Sequence, residues 1–103
     1  MTDTVSRRRI EVLVDGPLVP RVAAVAASVG VTGYTLLPVL GGSGRGGRWT
    51  DDQVTGVESK VMFMTVTSAE KAAAFTDALA PVLESHRLLL MTSVVDVVRG
   101  GKF

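Results

Sequence analysis

Lys60-Val61-Met62-Phe63-Met64-Thr65-Val66-Thr67-Ser68-Ala69-Glu70 carries a strand directly into a helix, and the fold turns on it. Residues 60–67 are almost all β-branched or large and apolar, the composition of a strand half or wholly buried. Thr67-Ser68-Ala69-Glu70 then has the spacing of a capping box, with Thr67 as the cap. Phe75, Leu79 and Val82 continue as an apolar helical stripe to about Ser85. Pro81 lies inside that helix and removes the bond to the Asp77 carbonyl, which predicts a local break with a last turn beyond it. Residues 88–98 are the next strand, and 99–103 a short tail.

The same succession stands upstream. Ile10, Val12 and Val14 alternate with Glu11, Leu13 and Asp15, giving a strand over 8–15 that stops at Gly16-Pro17. Leu18, Val22, Val25 and Val29 step by four, three and four, with alanines filling the turns, and Gly30 closes this first helix. A second strand is expected over 32–40. It ends in a glycine-rich loop, and 49–59 read as a long polar connection.

The order β-α-β-β-α-β predicts an α+β fold, a ferredoxin-like βαββαβ sandwich in which right-handed crossovers place both helices on one face of a four-stranded antiparallel sheet. Two helices cover one face only. Yet Met62, Met64 and Val66 alternate with Val61 and Phe63, and Leu89, Met91, Val95 and Val97 alternate with Leu88, Leu90, Val94 and Val98, so the third and last strands are apolar on both sides. The expected cover for the second face is another copy of the chain.

At 103 residues there is room for one domain, and 47% hydrophobic content makes it a globular one. A net charge of +1 supplies no field that would draw nucleic acid or an anionic membrane. The absence of cysteine excludes disulfides, thiol nucleophiles and iron–sulfur ligation. The polar start and the breakers at Gly16, Pro17 and Pro20 fit neither an export signal nor a membrane span, so a cytoplasmic protein without membrane insertion is expected.

Residues 33–48 hold the most distinctive chemistry, a strand running into Gly41-Gly42-Ser43-Gly44-Arg45-Gly46-Gly47-Arg48. Glycine lets backbone N–H groups approach a ligand and arginine presents a charged fork for carboxylate or phosphate, so the stretch reads as an anion-binding strand end. A surface loop that binds nothing has the same composition. The formal G-x-G-x-x-G at 42–47 opens no helix and contains no G-K-[ST], which rules against dinucleotide and P-loop readings. His86 has no second histidine for a metal site and reads as a C-terminal cap. Ser28, Ser43, Ser59, Ser68, Ser85 and Ser93 stand in no nucleophile elbow. Arg7-Arg8-Arg9 lacks the stacking aromatics of an RNA-binding sheet, so no nucleic acid is expected. Trp49 is either an anchor for a ligand or partner, or an exposed residue ordered on binding.

A strand, a helix ending Val29-Gly30-Val31-Thr32-Gly33-Tyr34-Thr35, and a glycine–arginine loop together resemble the P-II nitrogen-regulatory superfamily over nearly the whole chain. Gly33-Tyr34-Thr35 followed by Gly41 to Trp49 is similar to its carboxysome-associated and bicarbonate-transporter-associated branch. The resemblance implies a single domain over 1–103, a homotrimer, and adenine-nucleotide sites between subunits. It places Gly33, Tyr34 and Thr35 beside the adenine, and Gly41, Ser43, Gly44 and Arg45 at the phosphate. It places His86, Arg87 and Leu89 in the short B-loop and Arg99 near the phosphates from the last strand. Residues 42–59 would be the T-loop, which carries the message to a transporter or carbon-fixation partner. That loop has no tyrosine to modify, and Ser85-His86-Arg87 lacks the family's B-loop lysine, which favours AMP or ADP over ATP, with cyclic AMP as a further candidate and bicarbonate as a co-ligand. No cofactor, metal or catalytic activity is implied. The alternative is a small ferredoxin-like oligomeric enzyme or metal-binding trimer, with Asp51, Asp52 and Glu58 as hard-ion ligands.

Overall fold

In the computed structural model, which describes residues 3–44, 47–50 and 60–98, the inward alternation of the first strand becomes burial. Strand β1 (Thr4–Asp15) starts earlier than the apolar pattern predicts, because its first half is paired to the last strand by backbone bonds that need no apolar side chain. Ile10, Val12 and Val14 are fully buried, while Glu11 and Leu13 turn to the other face. A single 3₁₀ turn (Gly16–Leu18) follows, with Pro17 preset for it, and α1 (Val19–Ser28) buries Val22 and Ala26. Gly30 ends α1 as expected. Its φ of +87° lets its N–H reach the Ala27 carbonyl at 3.0 Å and the Val31 N–H reach the Ala26 carbonyl at 2.9 Å.

Strand β2 (Thr35–Pro38) is shorter than the 32–40 expected, since residues 31–34 leave strand geometry to wrap the end of α1. The glycine-rich stretch contains regular structure that composition concealed: β3 (Gly41–Gly44) pairs antiparallel with β4 (Gly47–Thr50) as a separate two-stranded ribbon. Strand β4 thus takes up the first two residues of the connection expected over 49–59, and residues 51–59 lie outside the described residues. Strand β5 (Lys60–Thr67) matches its predicted bounds.

Helix α2 (Ala69–His86) departs from the sequence reading at two points. Its cap is Ser68, whose side chain accepts from the Lys71 N–H at 3.2 Å, while Thr67 stays in the strand as a buried residue. Pro81 does not break the helix. It stands on the exposed side, as does Asp77, so the carbonyl deprived of its partner is left to water while Ala72, Phe75, Leu79 and Val82 hold the opposite face in the core. The helix ends at His86, where Arg87 adopts a left-handed φ of 54° and the Leu88 N–H closes on the Leu83 carbonyl at 3.0 Å. Strand β6 (Leu89–Val98) completes the chain.

The sheet order is β2-β5-β1-β6, antiparallel throughout, with both helices on the face that carries Ile10, Val12, Val14 and Phe63. This is the ferredoxin-like arrangement. Phe63 and Phe75 are its largest buried side chains, and burying each contributes about 1.5–3 kcal/mol. On the open face, Leu37, Met62, Leu13 and Leu89 form one cross-strand row, and Thr35, Met64, Glu11 and Met91 the next. Leu37, Leu89 and Met91 are 41%, 53% and 44% exposed, so the apolar second face read from the sequence is present and uncovered within one chain. The arginines at 7–9 belong to β1 itself, where Arg9 pairs with Glu11 at 3.2 Å on that face.

Candidate functional site

A cleft of about 550 Å³ opens between the segment that links α1 to β2 and the C-terminal half of β5, with the first turn of α2 at one end. Its walls are built by the core. Val31 is only 4% exposed and anchors the link, and the Thr65 hydroxyl donates to the Gly33 carbonyl at 2.6 Å. The Tyr34 ring stacks on Phe63 with centroids 4.6 Å apart and an angle of 22°, and Phe63 in turn meets Phe75 at 6.2 Å. Tyr34 thus has one ring face fixed against the core while the residue remains 44% exposed at the cleft.

The lining carries no carboxylate. It offers the hydroxyls of Thr32, Thr35, Thr65 and Thr67, the exposed backbone of Gly33, and one cation, Lys71. Such a site suits a flat, partly apolar group with an anionic substituent. Among the described residues, no group of three or more metal-ligating side chains is assembled; Asp51, Asp52 and Glu58 lie outside them.

The expected site residues fall in separate places. Gly33, Tyr34 and Thr35 line the cleft together. Gly41, Ser43 and Gly44 are in the ribbon beyond β2, His86 and Arg87 close α2, and Leu89 opens β6. His86 ends its helix as expected, with its Nε2 3.5 Å from Arg21 Nη1 of α1. Arg45 and Arg99 lie outside the described residues, as does the side chain of Trp49. Leu37 and Leu89 share a cross-strand row on opposite sheet edges, so the β2 edge and the β6 edge are separated by three strand spacings, roughly 14 Å. Thr65, Thr67 and Lys71 were not anticipated. Threonines at two consecutive inward positions of an otherwise apolar strand were the available signal.

The family model for nitrogen regulatory protein P-II matches residues 7–102. The chain belongs to the P-II family. Among solved structures, this P-II chain is similar to CPII of Thiomonas intermedia K12, a nitrogen regulatory PII-like protein described as bound to ADP, AMP and bicarbonate. That match has a TM-score of 0.89 at 19% identity and covers 100% of this chain and 98% of the other. It is also similar to a protein of Thermus thermophilus described as a putative PII-like signaling protein, with a TM-score of 0.82, 24% identity and 98% of each chain covered. The apo form of CPII matches with a TM-score of 0.74 at 18% identity, covering 94% of this chain and 97% of that one. No curated protein sequence matches the chain. Among the described residues, no helix of this P-II protein is long and apolar enough to cross a membrane.

Proposed function

We propose that this P-II protein is a non-enzymatic, homotrimeric sensor of adenine nucleotides, with AMP and ADP favoured and bicarbonate as a co-ligand. The observation that carries the reading is the carboxylate-free cleft at Gly33, Tyr34 and Thr35, in a P-II chain whose fold is shared with a protein described as bound to ADP, AMP and bicarbonate. Adenine lies against the Gly33–Thr35 wall, and phosphate is met by the ribbon residues Gly41, Ser43 and Gly44 with Arg45.

The division of the remaining residues supports a site shared between copies. Leu89 opens β6, the sheet edge opposite β2 and roughly 14 Å from it, with His86 and Arg87 immediately before it in the chain. Packing of the exposed Leu37, Leu89 and Met91 against other copies covers the open face and brings the two kinds of edge together. Arg99 then reaches the phosphates from the neighbour. The 42–59 segment, as the T-loop, reports the bound nucleotide to a transporter or carbon-fixation protein of the cytoplasm, and through it inorganic-carbon uptake or fixation is regulated.

Calorimetric titration with AMP, ADP, ATP and cyclic AMP, each with and without bicarbonate, tests the reading. Saturable AMP and ADP binding near one per chain is expected, weakened at least tenfold by Arg45→Ala. Tightest binding by ATP would overturn the nucleotide preference, and silence across the panel would overturn the sensor itself.

A further inference from the structure

The end of the cleft farthest from Thr35 has chemistry that the nucleotide reading does not use. Thr67 is 7% exposed and lines the cleft, and its hydroxyl has no hydrogen-bond partner among the described residues. No fully buried side-chain oxygen among those residues lacks a partner, so this hydroxyl reaches solvent, and the cleft is the opening beside it. Thr67 directly precedes the Ser68 cap of the 18-residue helix α2. The Ser68 side chain satisfies the Lys71 N–H, while the first-turn N–H groups of Ala69 and Glu70 have no intrahelical acceptor and carry the positive end of the helix dipole.

Two basic residues stand on the elements next to Thr67, Lys71 among the residues that line the cleft and Arg8 outside them. Lys71, on α2, lines the cleft and lays its stem across Gly30, with Cε 3.3 Å from where a β-carbon on Gly30 would stand. Arg8, on β1, is the direct cross-strand neighbour of Thr67 on the helix-covered face and is half-buried. Neither cation pairs with a carboxylate among the described residues. Glu70 is the nearest carboxylate in sequence; it is exposed on α2 and makes no ion pair there.

We propose that Thr67, Lys71 and Arg8, with the first turn of α2, form an oxyanion subsite at this end of the cleft. Its ligand is a phosphate-like or carbonate-like group with several acceptor oxygens, matched by one hydroxyl, two cationic side chains and backbone N–H groups. The group is supplied either by a nucleotide lying in the cleft or by a free small oxyanion. The subsite stands apart from the ribbon and does not depend on Arg45.

Amide-resolved titration of the full-length protein with inorganic phosphate, bicarbonate, AMP and adenosine tests it, alongside Lys71→Ala and Thr67→Val, each checked for an unchanged melting temperature. Phosphate, bicarbonate or AMP is expected to shift the amides of residues 67–71 in a saturable way. Lys71→Ala should weaken that binding about tenfold and Thr67→Val severalfold. A loss confined to AMP, with adenosine unaffected, identifies the nucleotide's own phosphate as the ligand. A loss for inorganic phosphate or bicarbonate, with AMP unaffected, identifies a free oxyanion. The proposal is overturned if no anion moves these amides, or if both variants bind every ligand within twofold of wild type. Nucleotide binding that needs Arg45, with AMP, inorganic phosphate and bicarbonate all indifferent to Lys71→Ala and Thr67→Val, would refute the subsite alone. Anion binding at 67–71 with no response to AMP or adenosine would refute the sensor reading and leave the subsite standing.

Discussion

The cleft wall and the glycine ribbon follow one another in the chain but are held by different forces. Residues 30–35 are fixed by a left-handed glycine, a buried valine, a side-chain hydrogen bond to Gly33 and an aromatic stack on Phe63. The ribbon has four cross-strand residue pairs, and Gly42, Ser43, Gly44, Gly47 and Arg48 are all exposed. One region inherits its shape from the hydrophobic core. The other is held, among its described residues, by backbone pairing between exposed positions, which costs little to rearrange. Under the proposed reading as a nucleotide sensor, the two would suit different tasks, a preformed surface for the base and a segment whose conformation responds to what is bound.

The largest test of that contrast is Phe63→Ala. Removing the ring under Tyr34 should destabilise the protein by about 3–5 kcal/mol in urea unfolding and loosen the cleft wall with it. Loss of less than about 1 kcal/mol would mean that the wall is not supported by the core in this way. Arg45→Ala sharpens the comparison from the other side: nucleotide affinity should fall at least tenfold, about 1.4 kcal/mol, while the melting temperature is unchanged. Thr65→Val keeps the volume but removes the bond to the Gly33 carbonyl, and should cost about 1 kcal/mol of stability together with a measurable loss of AMP affinity. Gly30→Ala should cost a similar ~1 kcal/mol, because alanine is strained at φ +87° even where the Lys71 stem can move aside. Smallest of all, Gly42→Ala in the ribbon should shift stability by no more than about 0.5 kcal/mol, since no core packing depends on it.

Much of the architecture was legible because it rests on periodicity. The alternation of Ile10, Val12 and Val14 and the apolar run of β5 gave the two central strands, and Phe75, Leu79 and Val82 gave the buried face of α2. Readings failed where tertiary context decided the outcome. Pro81 was tolerated because its missing bond faces water, and the cap moved from Thr67 to Ser68 because Thr67 was already committed to the strand. Glycines at 41–44 concealed a strand, as a residue type without side-chain pattern must. Gly33, Tyr34 and Thr35, singled out by resemblance to the P-II proteins, do line the cleft. Lys71, Thr67 and Arg8 were not so singled out, since α2, β5 and β1 meet only in the folded chain.

Complementation between copies tests the shared site most directly. Arg45→Glu alters the ribbon edge and Arg87→Glu the β6 edge, and neither variant alone should bind ADP. Co-refolded in equal amounts, they should recover about a quarter of wild-type sites, the fraction in which an unaltered ribbon edge meets an unaltered β6 edge from another copy. No recovery at any mixing ratio, although each variant assembles, would contradict a nucleotide site built from two chains.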